Sequence, residues 1–215
     1  LGILFIQGYG LTECSPIVAL NRNVDFLDSA AGLPLPNLRL KIDSPGTDGV
    51  GEIAVKGPSV MLGYYEDTLN NEKVFRDGWF HTGDLGYLND DNFLFITGRK
   101  KNVIVTKNGK NIYPEEIEYL LNKVPVIKEC IVYGKKDESS GDVLVAAIIV
   151  PDMDVLEGSA EGASHSMDEI HDMIEREVKD VNKSLVIYKH VRDISIRRDE
   201  FAKTTTKKIK RYVEL

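Results

Sequence analysis

The chain has 215 residues, 42% of them apolar and 28% charged, with 27 Lys and Arg against 34 Asp and Glu for a net charge of −7. Near-average Gly and Pro content without a long like-charge block excludes a disordered or collagen-like chain, and no apolar run nears the roughly 20 residues that cross a bilayer. The negative balance argues against nonspecific binding to nucleic acid or to an anionic membrane, and two cysteines, Cys14 and Cys130, suit free thiols in a reducing cytosol.

The opening residues, Leu1-Gly2-Ile3-Leu4-Phe5-Ile6, read as a core strand with no basic leader and no initiator Met, so the sequence is expected to be part of a longer chain. Residues 1–98 hold 6 of the basic and 13 of the acidic residues, while the remainder balances to zero. The first part reads as β-rich. Leu38-Arg39-Leu40-Lys41-Ile42 alternates at period two, Glu52-Ile53-Ala54-Val55-Lys56 is a short apolar run closed by Gly57-Pro58, and turn signals stand at Pro34, Pro36, Pro45-Gly46 and Asp48-Gly49. A small antiparallel barrel or curled sheet is the economical fold for it.

The second part alternates helix and strand. Pro114 with Glu115 and Glu116 opens a helix whose buried stripe is Ile117, Leu120, Leu121 and Val124, and Pro125 stops it. Residues 127–133 and 143–150 read as core strands, and 158–164 as a Gly/Ala/Ser-rich loop. Ser166 and Glu169 form a capping box before a helix striped by Ile170, Met173, Ile174, Val178 and Val181. Residues 190–196 are a last strand. The whole predicts an α+β protein, with a β-barrel-like subdomain over 1–100 and a compact α+β domain over 101–215.

Four segments are too polar and Gly-rich for packing alone. In Gln7-Gly8-Tyr9-Gly10-Leu11-Thr12-Glu13, the glycines allow close backbone approach to a ligand, Tyr9 offers a flat face to a purine, Thr12 can donate to phosphate, and Glu13 can hold Mg²⁺; a plain strand-to-loop turn fits equally. In Asp77-Gly78-Trp79-Phe80-His81-Thr82-Gly83-Asp84-Leu85-Gly86, a carboxylate among glycines suits vicinal hydroxyls, against the plainer reading of a β-turn in which Asp84 caps its own backbone. His81 alone reads as structural, and no second His stands at zinc-ligand spacing. Residues 97–118 bring Arg99, Lys101 and the Gly/Asn-rich run around Gly109, suited to phosphate or hydroxyl oxygens or to a basic hairpin. Residues 203–211 pack five cations, of which one could serve a transferring phosphoryl group, unless the stretch is a solvated tail.

In this order and at these separations the four segments closely resemble the adenylate-forming superfamily of acyl-CoA synthetases, luciferase and peptide-synthetase adenylation domains. The resemblance covers nearly the whole chain but only the C-terminal part of a full enzyme; the family's phosphate-gripping loop has no counterpart here. It implies ATP, Mg²⁺ and coenzyme A, and a carboxylic acid activated as an acyl adenylate and passed to the thiol. It further implies that Tyr9 stacks on adenine with Gly10 beside it, Thr12 touches the α-phosphate, and Glu13 coordinates Mg²⁺. Asp84 and Arg99 would bind the ribose, Lys101 would be a hinge to a mobile C-terminal domain, and Gly109 would line the pantetheine tunnel. Lys208 would be the catalytic lysine, although Ala202 and Lys207 stand where the family motif has Pro and Gly. Residues 77–101 and 107–118 are most similar to long-chain fatty acyl-CoA synthetases, with aryl or amino acids, or an inactive adenosine-binding module, as alternatives. The implied setting is cytoplasmic, with a missing N-terminal domain as partner, no nucleic acid and at most peripheral contact with a membrane's inner face.

Overall fold

The computed structural model describes residues 6–138, 141–158 and 165–215. Of the strand expected at 1–6 all but Ile6, and of the loop expected at 158–164 all but Gly158, lie outside the described residues. Contacts divide the chain into two compact units, Leu1–Lys101 and Asn102–Leu215.

In the first unit the elements in chain order are β1 (Gly8–Gly10), β2 (Ile17–Leu20), β3 (Leu33–Pro34), β4 (Arg39–Asp43), β5 (Gly51–Lys56), α1 (Thr68–Val74), β6 (Phe75–Arg76), β7 (Trp79–Leu88) and β8 (Leu94–Arg99). Strands β1, β2 and β3 form one antiparallel sheet. The larger sheet runs β4-β5-β7, with the first half of β7 pairing to β6 and its second half to β8. This sheet is open, so the barrel-like closure expected from the turn pattern is corrected. Among the described residues the backbone bridge between the small sheet and the large one is Gly32↔Leu94, and Pro34 and Pro36 supply no N–H with which to extend that ladder. Val18, Ile53, Val55, Phe80 and Leu94 are fully or almost fully buried and form the unit's core, each lying on a face that the period-two alternation turns inward.

The second unit contains β9 (Ile104–Val105), β10 (Asn111–Ile112), α2 (Pro114–Leu121), β11 (Ile127–Lys136), β12 (Val143–Pro151), α3 (Met153–Gly158), α4 (Met167–Asn182), β13 (Val191–Ile196) and α5 (Arg211–Glu214). Strands β11 and β12 are antiparallel, whereas β12 and β13 are parallel and are joined by the α3–α4 crossover that parallel pairing demands. The expected capping box closes on both sides: Glu169 N–H donates to Ser166 Oγ at 3.3 Å, and Ser166 N–H to Glu169 Oε2 at 2.8 Å. Ile117 and Leu121 of α2 and Ile170, Ile174 and Val178 of α4 bury against Val132 and Ile149, which fixes both helices on one sheet face.

Candidate functional site

The Thr82-Gly83-Asp84 stretch is not the turn its composition suggests; it is a bulge inside β7. Glu52 faces Leu85 while Ala54 faces His81, so three residues of β7 oppose Ile53 alone. Thr82 Oγ1 donates to the Ile53 carbonyl at 2.9 Å and accepts from Asp84 N–H at 3.1 Å, stitching the bulge on one side. Gly83 closes it at φ 72°, left-handed backbone that suits glycine. No atom lies within 4 Å of a Cβ added at Gly83, so Gly83→Ala meets only backbone strain. It is expected to cost about 1 kcal/mol in urea unfolding, with the sheet intact by circular dichroism.

The bulge aims a carboxylate that is 6% exposed. Asp84 Oδ2 accepts from Tyr9 Oη at 2.6 Å, and Oδ1 pairs with Arg99 Nε at 2.6 Å. Arg99 stands directly opposite Asp84 across the β7–β8 ladder, so sheet register alone delivers it, and its side chain remains half exposed. Burial, and then the neighbouring Asp84 charge, push the Tyr9 hydroxyl far above the ordinary phenol range, so it stays a proton donor. The Tyr9–Asp84 bond spans 75 residues of sequence, and nothing local to either residue announces it. The three groups together present a rigid anion, an exposed guanidinium and a half-buried aromatic ring.

Gly10 has a packing reason for being glycine, because a Cβ there would stand 2.2 Å from the Pro16 carbonyl oxygen. Thr12 and Glu13 lie in the 3₁₀ turn Thr12–Cys14. Thr12 is exposed, whereas Glu13 is half-buried and accepts from Tyr64 Oη at 3.0 Å. Burial, then Glu13, raises the Tyr64 hydroxyl above its usual range. Among the described residues no three His, Cys, Asp or Glu side chains converge on a point that could hold a metal. The Glu13 carboxylate, with one oxygen taken by Tyr64, is a hard oxygen donor of the kind Mg²⁺ takes.

A second buried anion was not anticipated. Glu52, 7% exposed, accepts from Lys100 Nζ at 2.8 Å, Arg76 Nη2 at 3.0 Å and Gly83 N–H at 3.2 Å, with His81 Nδ1 3.3 Å away. Burial drives its carboxyl upward, but the Lys100 bond and charge, with His81, bring it below the ordinary glutamate range. His81 thus belongs to this cluster and makes no bond to Asp84 among the described residues. The available signal was a charged residue heading an apolar strand, Glu52-Ile53-Ala54-Val55.

In the second unit Gly109, at φ 71°, sits in the turn joining β9 to β10, where its N–H donates to the Thr106 carbonyl at 2.9 Å. Residues 203–209 form a hairpin-like loop closed by the bridge Lys203↔Ile209 and by Thr204 N–H donating to the Lys208 carbonyl at 2.8 Å. Lys207 takes φ 61°, the left-handed conformation a glycine adopts without strain. The five cations of this stretch divide into two kinds. Lys203 pairs with Glu129 and Glu200 and Arg211 with Glu118, whereas Lys207, Lys208 and Lys210 have no ion pair among the described residues, Lys207 and Lys208 being exposed and Lys210 half-buried. Lys101 lies in the 3₁₀ turn Lys100–Asn102, exposed, as the last residue of the first unit.

Comparison with known proteins gives two family matches. The pattern of the AMP-binding enzyme family matches residues 1–65, and that of the AMP-binding enzyme C-terminal domain matches residues 116–208. The chain is 40% identical over 184 residues to indoleacetate–CoA ligase of Aromatoleum aromaticum, covering 81% of this chain and 34% of that protein. It is 36% identical over 157 residues to the long-chain-fatty-acid–CoA ligase of Salmonella typhimurium, covering 70% and 28%. The structure of o-succinylbenzoate CoA synthetase from Bacillus subtilis with its acyl-adenylate intermediate superposes with a TM-score of 0.75 at 29% identity, over 96% of this chain and 40% of that one. The chain spans about a third of the length of the curated relatives it matches.

Proposed function

Because the chain belongs to the AMP-binding enzymes, the adenylate-forming CoA ligase family, we propose that it is the adenosine-binding and mobile C-terminal portion of an acid–thiol ligase. In the first half-reaction a carboxylate oxygen attacks the α-phosphorus of ATP and the bond to pyrophosphate breaks. In the second, the sulfur of coenzyme A attacks the acyl carbon and the bond to AMP breaks. The observation that supports this reading best is Asp84, buried, aimed by a bulge and held by Tyr9 and Arg99. An anion fixed in this way accepts from the two ribose hydroxyls without reorganising. Tyr9 offers its ring to adenine, with the Gly10 backbone alongside, and Arg99 donates to the same sugar. Thr12 donates to the α-phosphate. Glu13 would hold Mg²⁺, which when bound neutralises phosphate charge as the α-phosphorus is attacked.

Lys208 is assigned as the mobile counter-charge of the adenylation step, Gly109 as part of the wall along which pantetheine passes, and Lys101 as the hinge. The reading takes residues 1–100 as the end of the large adenylation domain and 101–215 as the domain that turns. The acid we propose is a long-chain fatty acid, on the similarity of residues 77–101 and 107–118 to such ligases. Indoleacetate and succinylbenzoate are the competitors that the relatives' identities leave in play. No helix among the described residues is long and apolar enough to cross a membrane, and the proposed setting is the cytoplasm.

The test is pyrophosphate release by the full-length enzyme over a panel of fatty, aryl and amino acids, run beside residues 1–215 alone. Acid-dependent release by the full enzyme with none by the 215 residues is the expected result, since the phosphate-gripping loop has no counterpart in these residues. AMP binding by the 215 residues, read by calorimetry, distinguishes a retained adenosine site from an inert fragment. Release that ignores the acid, or no AMP binding at Asp84, would overturn the reading.

A further inference from the structure

The two residues that flank Lys101 are each tied down within their own unit. Lys100 Nζ reaches Glu52 Oε2 at 2.8 Å, inside the first unit, on a carboxylate already fixed by Arg76, His81 and the Gly83 N–H. Asn102 Nδ2 donates to Glu115 Oε1 at 2.6 Å, inside the second unit, at the opening of α2. Glu115 is held in turn by the helix that carries it, and its Oε2 is buried with no hydrogen-bond partner among the described residues. Lys101, between them, is exposed, and its side chain makes no hydrogen bond or ion pair among the described residues. Glu52, buried and multiply bonded, is a firm anchor, since leaving such a carboxylate unpaired is costly, whereas the half-buried Glu115 holds Asn102 through one short bond.

We propose that Glu52 and Glu115 are positioning residues that confine the swivel of this enzyme to the backbone bonds of Lys101, by clamping Lys100 on one side and Asn102 on the other. This rests on the ligase reading given above, in which the two half-reactions need two orientations of the second unit. A hinge spreads its dihedral change over whatever residues are free to move. Clamping both neighbours concentrates the change in one residue and makes each end state sharply defined. The Glu52 clamp has a further consequence, because the same carboxylate takes the Gly83 N–H. The anchor of the swivel and the bulge that aims Asp84 share one group, so the hinge turns about a point fixed relative to the sugar site.

Suppression tests this in the full-length enzyme. Lys101→Pro locks the one free residue and should block thioester formation while adenylation proceeds. Adding Asn102→Ala or Lys100→Met frees a neighbour to absorb the turn, and should restore thioester formation at least about tenfold over Lys101→Pro alone. Lys100 is exposed and Asn102 half-buried, and neither belongs to a core cluster, so neither variant removes a core side chain. Without relief in either double variant, the clamps do not confine the hinge, and an unimpaired Lys101→Pro enzyme refutes the proposal equally. A readout independent of catalysis is amide hydrogen exchange across residues 99–103. Asn102→Ala and Lys100→Met should each speed it at least about threefold with the rest of the chain unchanged, and unchanged exchange overturns the clamps even if the protein proves to ligate nothing. Absent pyrophosphate release by the unmodified enzyme, with exchange accelerated as expected, would instead sink the ligase reading and leave the clamps standing.

Discussion

Lys208→Ala in the full-length enzyme should lower the rate of acyl-adenylate formation roughly a hundred- to a thousandfold while sparing thioester formation from supplied acyl adenylate. The reason lies in how its loop is built. Ile209 packs beside Phe201, Ile131 and Val150, Lys203 is held by Glu129 at 2.8 Å and Glu200 at 2.7 Å, and Arg211 is held by Glu118. These three anchors fix the loop's base, and the reciprocal Thr204–Lys208 bonds fix its tip. What remains is a positive charge on a defined backbone with a mobile side chain, which is what neutralising a charge-developing transition state requires. The adjacent Lys207 is the control. It holds the left-handed position at φ 61°, so Lys207→Gly should keep the turn and change adenylation less than about threefold, while easing strain of about 1 kcal/mol. Rapid-quench measurement of both half-reactions decides the matter. Equal loss in the two steps for Lys208→Ala, or a loss at Lys207 as large as at Lys208, moves the role elsewhere.

How much of this was legible in the sequence follows from how local each cause is. The helix starts at Pro114 and Ser166 are written in three or four adjacent residues, and the structure has them there with Ile117, Leu121, Ile170, Ile174 and Val178 of the anticipated stripes buried; Leu120, Met173 and Val181 are half-buried, and α2 ends at Leu121, one turn before the half-buried Val124. Strands β4, β5, β11 and β12 carry enough apolar periodicity to be read directly. Strand β7 does not, because Gly83, Asp84 and Gly86 read as a turn. What makes it a strand is pairing on both sides, with β5 along one edge and β6 and β8 along the other. Gly86 is there because a Cβ would stand 2.2 Å from the Phe95 carbonyl oxygen, a contact set by strand approach and invisible in one segment. The candidate residues Tyr9, Asp84 and Arg99 could be named from their chemistry, but their union depends on register. Glu52 escaped notice because a lone charge at a strand end is ordinary until its four partners, scattered from Arg76 to Lys100, arrive around it.

Asp84→Ala should raise the KM for ATP and reduce kcat/KM about a hundredfold, because hydrogen bonds to a charged acceptor contribute roughly 1.5–3 kcal/mol each and two sugar hydroxyls are proposed to share this one. The substitution also strands the Tyr9 hydroxyl, which burial keeps protonated, and releases the Arg99 guanidinium from its fixed direction. Lost kcat/KM alone would therefore not separate contact from support. Substrate editing does. The unmodified enzyme should discriminate against 2′-deoxy-ATP by about tenfold or more, and Asp84→Ala should use ATP and 2′-deoxy-ATP nearly equally, because the group that reads the hydroxyl is gone. Tyr9→Phe removes the 2.6 Å bond to Oδ2 and the hydroxyl's contact with Thr82; it should weaken ATP use by about tenfold yet keep most of the discrimination, since Arg99 still holds Oδ1. If Asp84→Ala folds, binds ATP weakly and still rejects the deoxy nucleotide as strongly as before, the carboxylate supports the strand pair and does not touch the sugar. The bulge at Gly83 would then need another explanation than aiming Asp84.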